Sequence, residues 1–177
     1  ADNPLTARVF VNRVWSWHFG SGLVKTASDF GTRAEAPSHP ELLDWLAVSF
    51  VEQGWSLKAL HRMIVLSATY QQTSLLTNDD RVEKARLADP ENRLLWHYNR
   101  YRLGFESMRD ALLAASEELD NTVGGRPVEL IATPPPTRRT LYGRVDRRFL
   151  PAVFRVFDFP NPDMHNPARL TTTVPQQ

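Results

Sequence analysis

Residue types that bind metals come together at one point of the sequence, where His39, Glu41 and Asp44 follow one another closely. Imidazole and carboxylate groups suit zinc or iron. Glu41 is two residues from His39, however, so the two side chains would point to different sides of a helix. In a second interpretation, His39 and Glu41 simply complement the N-terminus of a helix. The spacing favours this second interpretation, and the sequence predicts no metal site.

A second group of charged residues flanks a predicted helix over 104–119. Arg102 and Glu106 are four residues apart, as are Glu106 and Asp110, and Arg109 precedes Asp110. A buried charge without a partner is very costly, so we expect ion pairs that clamp helices together, with a catalytic site as the alternative. With the polar residues of the first helices, the predicted polar cluster, structural or binding, comprises Asn12, Arg13, Asp29, His39, Glu41, Asp44, Arg102, Glu106, Arg109 and Asp110.

Several kinds of chemistry are excluded by composition. None of the 177 residues is cysteine, so the chain has no thiol nucleophile, disulfide, iron–sulfur cluster or covalent c-type haem site. The motifs G-x-S-x-G, H-E-x-x-H and the P-loop are absent from the sequence. His18 and His61 lie in predicted amphipathic helices, where core or capping positions are a better interpretation than haem ligation. The sequence therefore predicts no cofactor and no catalytic residues.

The charge balance indicates neither a nucleic acid nor a membrane as partner. The net charge is +1, from 21 basic and 20 acidic residues. Residues 134–177 carry seven basic and three acidic residues, an excess of four. The arginines of 138–148 with Tyr142 and Phe149 could form a nucleic-acid patch, but so small an excess does not favour one. No apolar run approaches the ~18 residues of a membrane span.

Apolar residues at helical spacing dominate the first 120 residues. Asn3 and Pro4 are typical of a helix start, and Gly20 of its end. Ser38 and Ser56 are predicted to cap two helices that form a hairpin. Phe105, Met108, Leu112, Ala115 and Leu119 predict a buried seam. The predicted helices cover 5–19, 39–53, 57–71, 79–87, a segment that starts at Asp89-Pro90-Glu91, 104–119 and 149–157.

These elements predict a mainly α fold, a single-domain orthogonal helical bundle of five to seven helices. One short β strand or hairpin is expected after residue 138, over 140–145, where apolar and polar residues alternate. We expect one domain over 1–177, with a helical core at 3–120. A proline-rich connection at 126–140 and a basic C-terminal segment at 138–177 follow.

Long strings of the sequence resemble a known family. They are NPLTARVFVNRVWSWHFGSGLVKTASDFGTRAEAPSHPELLDWLA, GWSLKALHRMIVLSATYQQTS, DPENRLLWHYNRYRL and the tail FDFPNPD with TTTVPQQ. With them, residues 3–177 resemble the planctomycete-specific domain of unknown function. In that family the tail continues into another apolar helical segment, so the resemblance implies that this chain ends inside a motif.

The resemblance implies a setting rather than a reaction. Its members are large exported proteins of the bacterial envelope, in which this domain follows a cytochrome-c-like domain. We therefore expect partners among other domains of the same polypeptide, including that haem domain. The family supplies no established active-site residues for this domain.

Two functions remain open at this point. The first is a non-catalytic helical module for assembly or interaction within a larger envelope protein. The alternative is an enzyme domain, a hydrolase or redox component that acts on envelope or extracellular polysaccharide. An enzyme would show a deep pocket with converging polar groups and a perturbed titratable residue, whereas an interaction module would expose apolar surface.

Overall fold

A computed structural model describes residues 3–32, 34–166 and 169 of the chain. Those residues form six α-helices and a short 3-10 helix, so the predicted mainly α fold is confirmed. The α-helices are α1 (Pro4–Phe19), α2 (Pro40–Glu52), α3 (Leu57–Val65), α4 (Asp80–Ala88), α5 (Phe105–Ala115) and α6 (Ala152–Val156). The 3-10 helix covers Thr140–Tyr142. No helix in this part of the chain is both long and apolar enough to cross a membrane.

The chain divides into two compact units, Ala1–Tyr101 and Arg102–Gln177. The first contains α1 to α4, and the second contains α5, the 3-10 helix and α6. The boundary falls inside the helical core predicted at 3–120. The single domain over 1–177 stays a prediction.

The start and end of α1 follow the sequence signals. The Asn3 side chain accepts a hydrogen bond from the Leu5 amide at 2.9 Å, and Pro4 occupies the first helical position. Gly20 ends the helix with a φ of 78°, a left-handed conformation that glycine adopts without steric cost.

The predicted hairpin of α2 and α3 is present with two corrections. His39, not Ser38, occupies the N-cap position of α2, and no side-chain hydrogen bond caps that helix. Ser56 caps α3 as predicted. α3 ends before the predicted residue 71 because the Ser67 hydroxyl donates to the Ile64 carbonyl at 2.7 Å and accepts from the Tyr70 amide.

The core of the first unit is formed where α1, α2 and α3 pack together. Leu46 and Phe50 of α2 and Leu60 and Ile64 of α3 are buried in one cluster. Leu42 is half-buried and packs against it. Tertiary packing of these apolar faces stabilises helices that would be marginal alone.

No helix starts at Asp89, contrary to prediction. The Asp89 carboxylate accepts hydrogen bonds from the Arg93 and Leu94 amides, four and five residues ahead, whereas an N-cap side chain binds the amide two or three residues ahead. Asn92 and Leu95 have φ values of 51° and 56°, and left-handed residues interrupt a right-handed helix.

The seam predicted to be buried on α5 is buried only at Phe105, which corrects the prediction. Phe105 is buried with Leu130 and Phe154, and Met108 packs against that cluster. Leu112 is 63% exposed. α5 ends at Ala115, and Glu117 has a φ of 62°, so the chain leaves the helix before Leu119.

The strand expected at 140–145 is replaced by the 3-10 helix. The Thr140 amide donates to the Asp110 carboxylate, and the Gly143 amide donates to the Thr140 carbonyl, so neither is available to a β-ladder. An isolated bridge between Val128 and Gly143 forms instead. Near the C-terminus, α6 follows Pro151 as predicted but is shorter than 149–157.

Leu46→Ala should destabilise the chain by about 2–5 kcal/mol, because it leaves a cavity where a fully packed side chain was. The measurement is the urea midpoint. Val48→Ala on the same helix is the matched control, since Val48 is 56% exposed. A midpoint equal to that of the control would contradict the packing described.

Candidate functional site

The residues of the predicted polar cluster are divided between the two units. The first unit holds Asn12, Arg13, Asp29, His39, Glu41 and Asp44, and the second holds Arg102, Glu106, Arg109 and Asp110.

Asn12 is fully buried and binds the loop that follows α1. Its side-chain nitrogen donates to the Val24 carbonyl at 3.0 Å, and its oxygen accepts from the Val24 amide at 2.9 Å. Gly22 lies so close that a Cβ there would be 2.7 Å from the Asn12 amide nitrogen. Asn12 thus satisfies both of its own polar atoms and two backbone groups, which is a structural role.

The three candidate metal ligands have separate surroundings. His39 Nδ1 lies 3.0 Å from the Ser38 hydroxyl, Glu41 is exposed, and Asp44 Oδ1 lies 3.1 Å from Arg8 Nε. Within the described ranges, no group of three histidine or acidic residues could hold a metal ion. The expected absence of a metal stays a prediction.

Neither Arg13 nor Asp29, both in the first unit, belongs to a cluster of predicted site residues in the part of the chain that the structure describes. Arg13 is exposed on α1, and Asp29 accepts a hydrogen bond from the Gly31 amide at 3.0 Å. This contact closes a turn of the kind that aspartate favours.

Arg109 and Asp110 of α5 hold the loop at 136–140. Arg109 donates to the Pro136 carbonyl, to the Arg138 carbonyl at 2.9 Å and to the Thr140 hydroxyl at 3.0 Å. Asp110 accepts from the Thr140 amide and hydroxyl at 2.7 and 2.6 Å. The two side chains lie 3.9 Å apart. Their partners are therefore backbone and side-chain groups of one loop, Arg139 among them at 3.7 Å from Asp110, and not a second α-helix as was predicted.

Arg102 and Glu106 find partners near the C-terminus. The Arg102 guanidinium lies 4.3 Å from the centre of the Phe157 ring. Both oxygens of Glu106 accept hydrogen bonds from Arg169, at 2.8 and 2.6 Å. These hydrogen bonds lower the pKa of Glu106, although partial burial opposes the shift. The helical spacing of Arg102 and Glu106 did not indicate Arg169.

A pair of histidines that was not part of the predicted cluster joins α1 to α3. His18 Nε2 and His61 Nδ1 lie 2.7 Å apart, so one ring donates a hydrogen bond to the other. Burial, and then the neighbouring His61, lower the pKa of His18. The Tyr98 hydroxyl donates to the His18 carbonyl at 2.8 Å, and burial raises the pKa of Tyr98. Both rings were predicted to occupy core or capping positions, and their pairing could not be found from spacing alone.

A shallow pocket opens on the first unit. Trp15 and Phe19, which are stacked with ring centres 4.2 Å apart, contribute to its wall. At its rim, Lys25 Nζ lies 2.5 Å from Glu91 Oε2, so these two charges are already paired. That hydrogen bond lowers the pKa of the exposed Glu91 carboxyl.

The outward side of α2 combines apolar and acidic side chains. Trp45, Val48 and Val51 are 55, 56 and 39% exposed. They recur at three-residue spacing, so they lie along one side of the helix. We call this side the tryptophan face; it consists of Glu41, Asp44, Trp45, Val48, Val51 and Glu52, all of which are exposed.

Fold and site together define a mainly α protein in which four of the ten predicted polar residues, Asn12, Asp29, Arg109 and Asp110, bind the backbone of loops and turns. The family model of PSD1, described as "Protein of unknown function (DUF1553)", matches residues 1–177, and the chain belongs to that family. Comparison with curated proteins gave no significant match, and neither did comparison with solved structures. The resemblance to a domain of unknown function is thereby confirmed, whereas the setting that it implies stays a prediction.

Arg109→Ala should lower the free energy of unfolding by about 3–5 kcal/mol, because it leaves the half-buried Pro136 and Arg138 carbonyls without their donor and removes the charge beside Asp110. The Arg109 and Asp110 side chains are only 13 and 20% exposed. Arg144→Ala is the control, since Arg144 and its partner Glu129 are 57 and 61% exposed, and such a pair is worth at most ~1 kcal/mol. Equal urea midpoints for the two variants would refute the structural role of Arg109.

The free energy of unfolding should fall as the pH decreases from about 7.5 to about 5.5. The pKa of His18 is lowered in the folded chain, whereas in the unfolded chain this histidine has its ordinary pKa of 6.5. Below pH 6.5 the unfolded chain therefore binds a proton that the folded chain does not, and the folded state becomes less stable. The window lies above the range in which carboxylates titrate.

His18→Gln should reduce this pH dependence, measured as the difference between urea midpoints at the two pH values. His165→Gln, at an exposed position, should retain it. Identical pH profiles for His18→Gln and the unmodified chain would show that the histidine pair does not titrate in this range.

Proposed function

We propose that this chain is a non-catalytic helical module that docks other domains within a larger protein of the bacterial envelope. The observation that carries the proposal is the tryptophan face of α2. Tryptophan is enriched at the energetic centres of protein interfaces, where it buries a large apolar area. On α2 an exposed tryptophan lies next to two exposed valines, so the apolar contribution is continuous along the helix.

The corner after α2 supports the same interpretation. Trp55 is 42% exposed and has a φ of 61°, although its side chain is bulky. Such a conformation costs roughly 1–2 kcal/mol for a residue other than glycine. The Trp55 ring packs edge-on against Phe50, 5.2 Å away, which holds it in place. A second, partly exposed tryptophan thus lies just beyond the end of α2.

The alternative of an enzyme domain acting on polysaccharide has the shallow pocket as its candidate site. The charges at its rim are in ion pairs, Lys25 with Glu91 and Arg93 with Glu35. A pocket with paired rim charges supports a reaction less well than the tryptophan face supports docking. We therefore place interaction first, with the cytochrome-c-like domain implied by the resemblance among the proposed neighbours.

Hydroxyl-radical footprinting tests the proposal. Trp45 should be oxidised several-fold more slowly in a polypeptide that carries this chain beside its neighbouring domains than in the chain alone, because docking removes it from solvent. Trp17, which is 64% exposed on α1, serves as the internal reference. Equal oxidation rates of Trp45 in both samples would contradict docking through this face.

A further inference from the structure

The acidic side chains of the tryptophan face identify the chemistry of its partner. Resting on the proposed function, we infer that this face binds a basic, apolar surface, namely a helix that presents lysine or arginine beside leucine-like residues. α2 contains Glu41, Asp44 and Glu52 and no basic residue at all. All three carboxylates lie on the exposed side that also carries Trp45 and Val48. The face is therefore both apolar and negatively charged.

The position of Glu52 indicates binding rather than helix stability. A carboxylate in the last turn of a helix is unfavourable because it lies near the negative end of the helix dipole. Among the described residues, no cation forms an ion pair with Glu52 or with Glu41. Glu41 lies in the first turn, where a carboxylate stabilises the helix, but Glu52 has no such benefit. A cation supplied by a partner would compensate the charge at Glu52.

Asp44 remains accessible although it has a partner within the chain. Arg8 Nε lies 3.1 Å from Asp44 Oδ1, and the Asp44 side chain is still 57% exposed. The contact with Arg8 therefore leaves the Asp44 carboxylate accessible to a partner group. Trp45 follows directly in the sequence, and the face of an exposed indole attracts lysine and arginine through its π electrons. A basic partner side chain would thus meet both a carboxylate and an aromatic ring.

A second copy of the chain fits this face poorly. In a two-fold symmetric contact the same patch of each molecule meets itself, so the three carboxylates of one helix would face those of the other. Like charges brought together in this way cost free energy, whereas a basic helix would neutralise them. Charge complementarity therefore favours a different, basic partner over self-association.

The test uses two synthetic helical peptides as probes. One has leucine on one side and lysine on the other, and the second has glutamate in place of every lysine. Fluorescence anisotropy of labelled peptide measures their affinity for the chain. We expect the lysine peptide to bind and the glutamate peptide not to bind. A general attraction for cations is not expected, since the net charge of the chain is only +1.

Variants assign the binding to the tryptophan face. The double substitution E41K and E52K should weaken binding of the lysine peptide about tenfold at about 50 mM salt, and the loss should shrink at about 500 mM. E117K and E118K reverse two exposed charges outside α2 and serve as the matched control. Trp45→Ala should weaken binding at both salt concentrations, because its apolar contact is not screened.

Three results would overturn the inference. They are equal affinity for both peptides, equal binding by the E41K/E52K variant and its control, and a dimer in sedimentation that Trp45→Ala abolishes. If the peptides fail while Trp45 is still protected in the footprinting experiment, the docking face stands and only its basic partner is refuted. If protection is also absent, the proposed function fails as well.

Discussion

Backbone groups of the loops lie next to the cores of this protein, and they have to be hydrogen-bonded where water cannot reach them. Polar side chains on the helices meet this requirement. Asn12 of α1 binds both backbone groups of Val24, and Arg109 and Asp110 of α5 bind the loop at 136–140. These side chains therefore hold irregular segments in place within each unit.

This requirement changes the interpretation of the polar cluster. Buried or half-buried polar residues are often candidates for catalysis, but Asn12, Arg109 and Asp110 have partners for their polar atoms within the protein. A side chain whose hydrogen bonds hold a loop can leave that loop only at a large cost in stability. A binding role fits better where apolar side chains are exposed to water, which costs free energy, and where charged side chains have few partners within the chain. The tryptophan face of α2 has both properties.

The histidine pair links the packing of two helices to the protonation of a side chain. His18 and His61 join α1 and α3 by a hydrogen bond that requires at least one neutral ring. Burial and the neighbouring ring both oppose a second proton, so this contact couples the packing of the first unit to protonation. The tyrosine hydroxyls that surround it donate to the backbone carbonyl of His18, which leaves the rings to bind each other.

Local signals in the sequence determined the helices and several of their ends. The start of α1 is set by Asn3 and Pro4 and its end by Gly20, and Ser56 caps α3. Such residues act on backbone groups within one turn of themselves, so their effect can be predicted from the sequence. The mainly α fold follows from periodic apolar residues, which bury one side of each helix. The helix start predicted at Ser38 was displaced by one residue, to His39. The start predicted at Asp89 was wrong, since a capping side chain cannot show whether the residues after it adopt left-handed conformations.

Contacts between distant residues were decided only by the tertiary structure. The spacing of Glu106 on its helix pointed to Arg102, whereas its partner is Arg169, 63 residues further along the chain. The seam of α5 was periodic in sequence, yet Leu112 is exposed. Periodicity shows which residues share a side of a helix, but it does not show whether another element covers that side. The same reason hid the tryptophan face: Trp45 belongs to an apolar helix, and only the packing of α2 determined that its side chain lies outside the core.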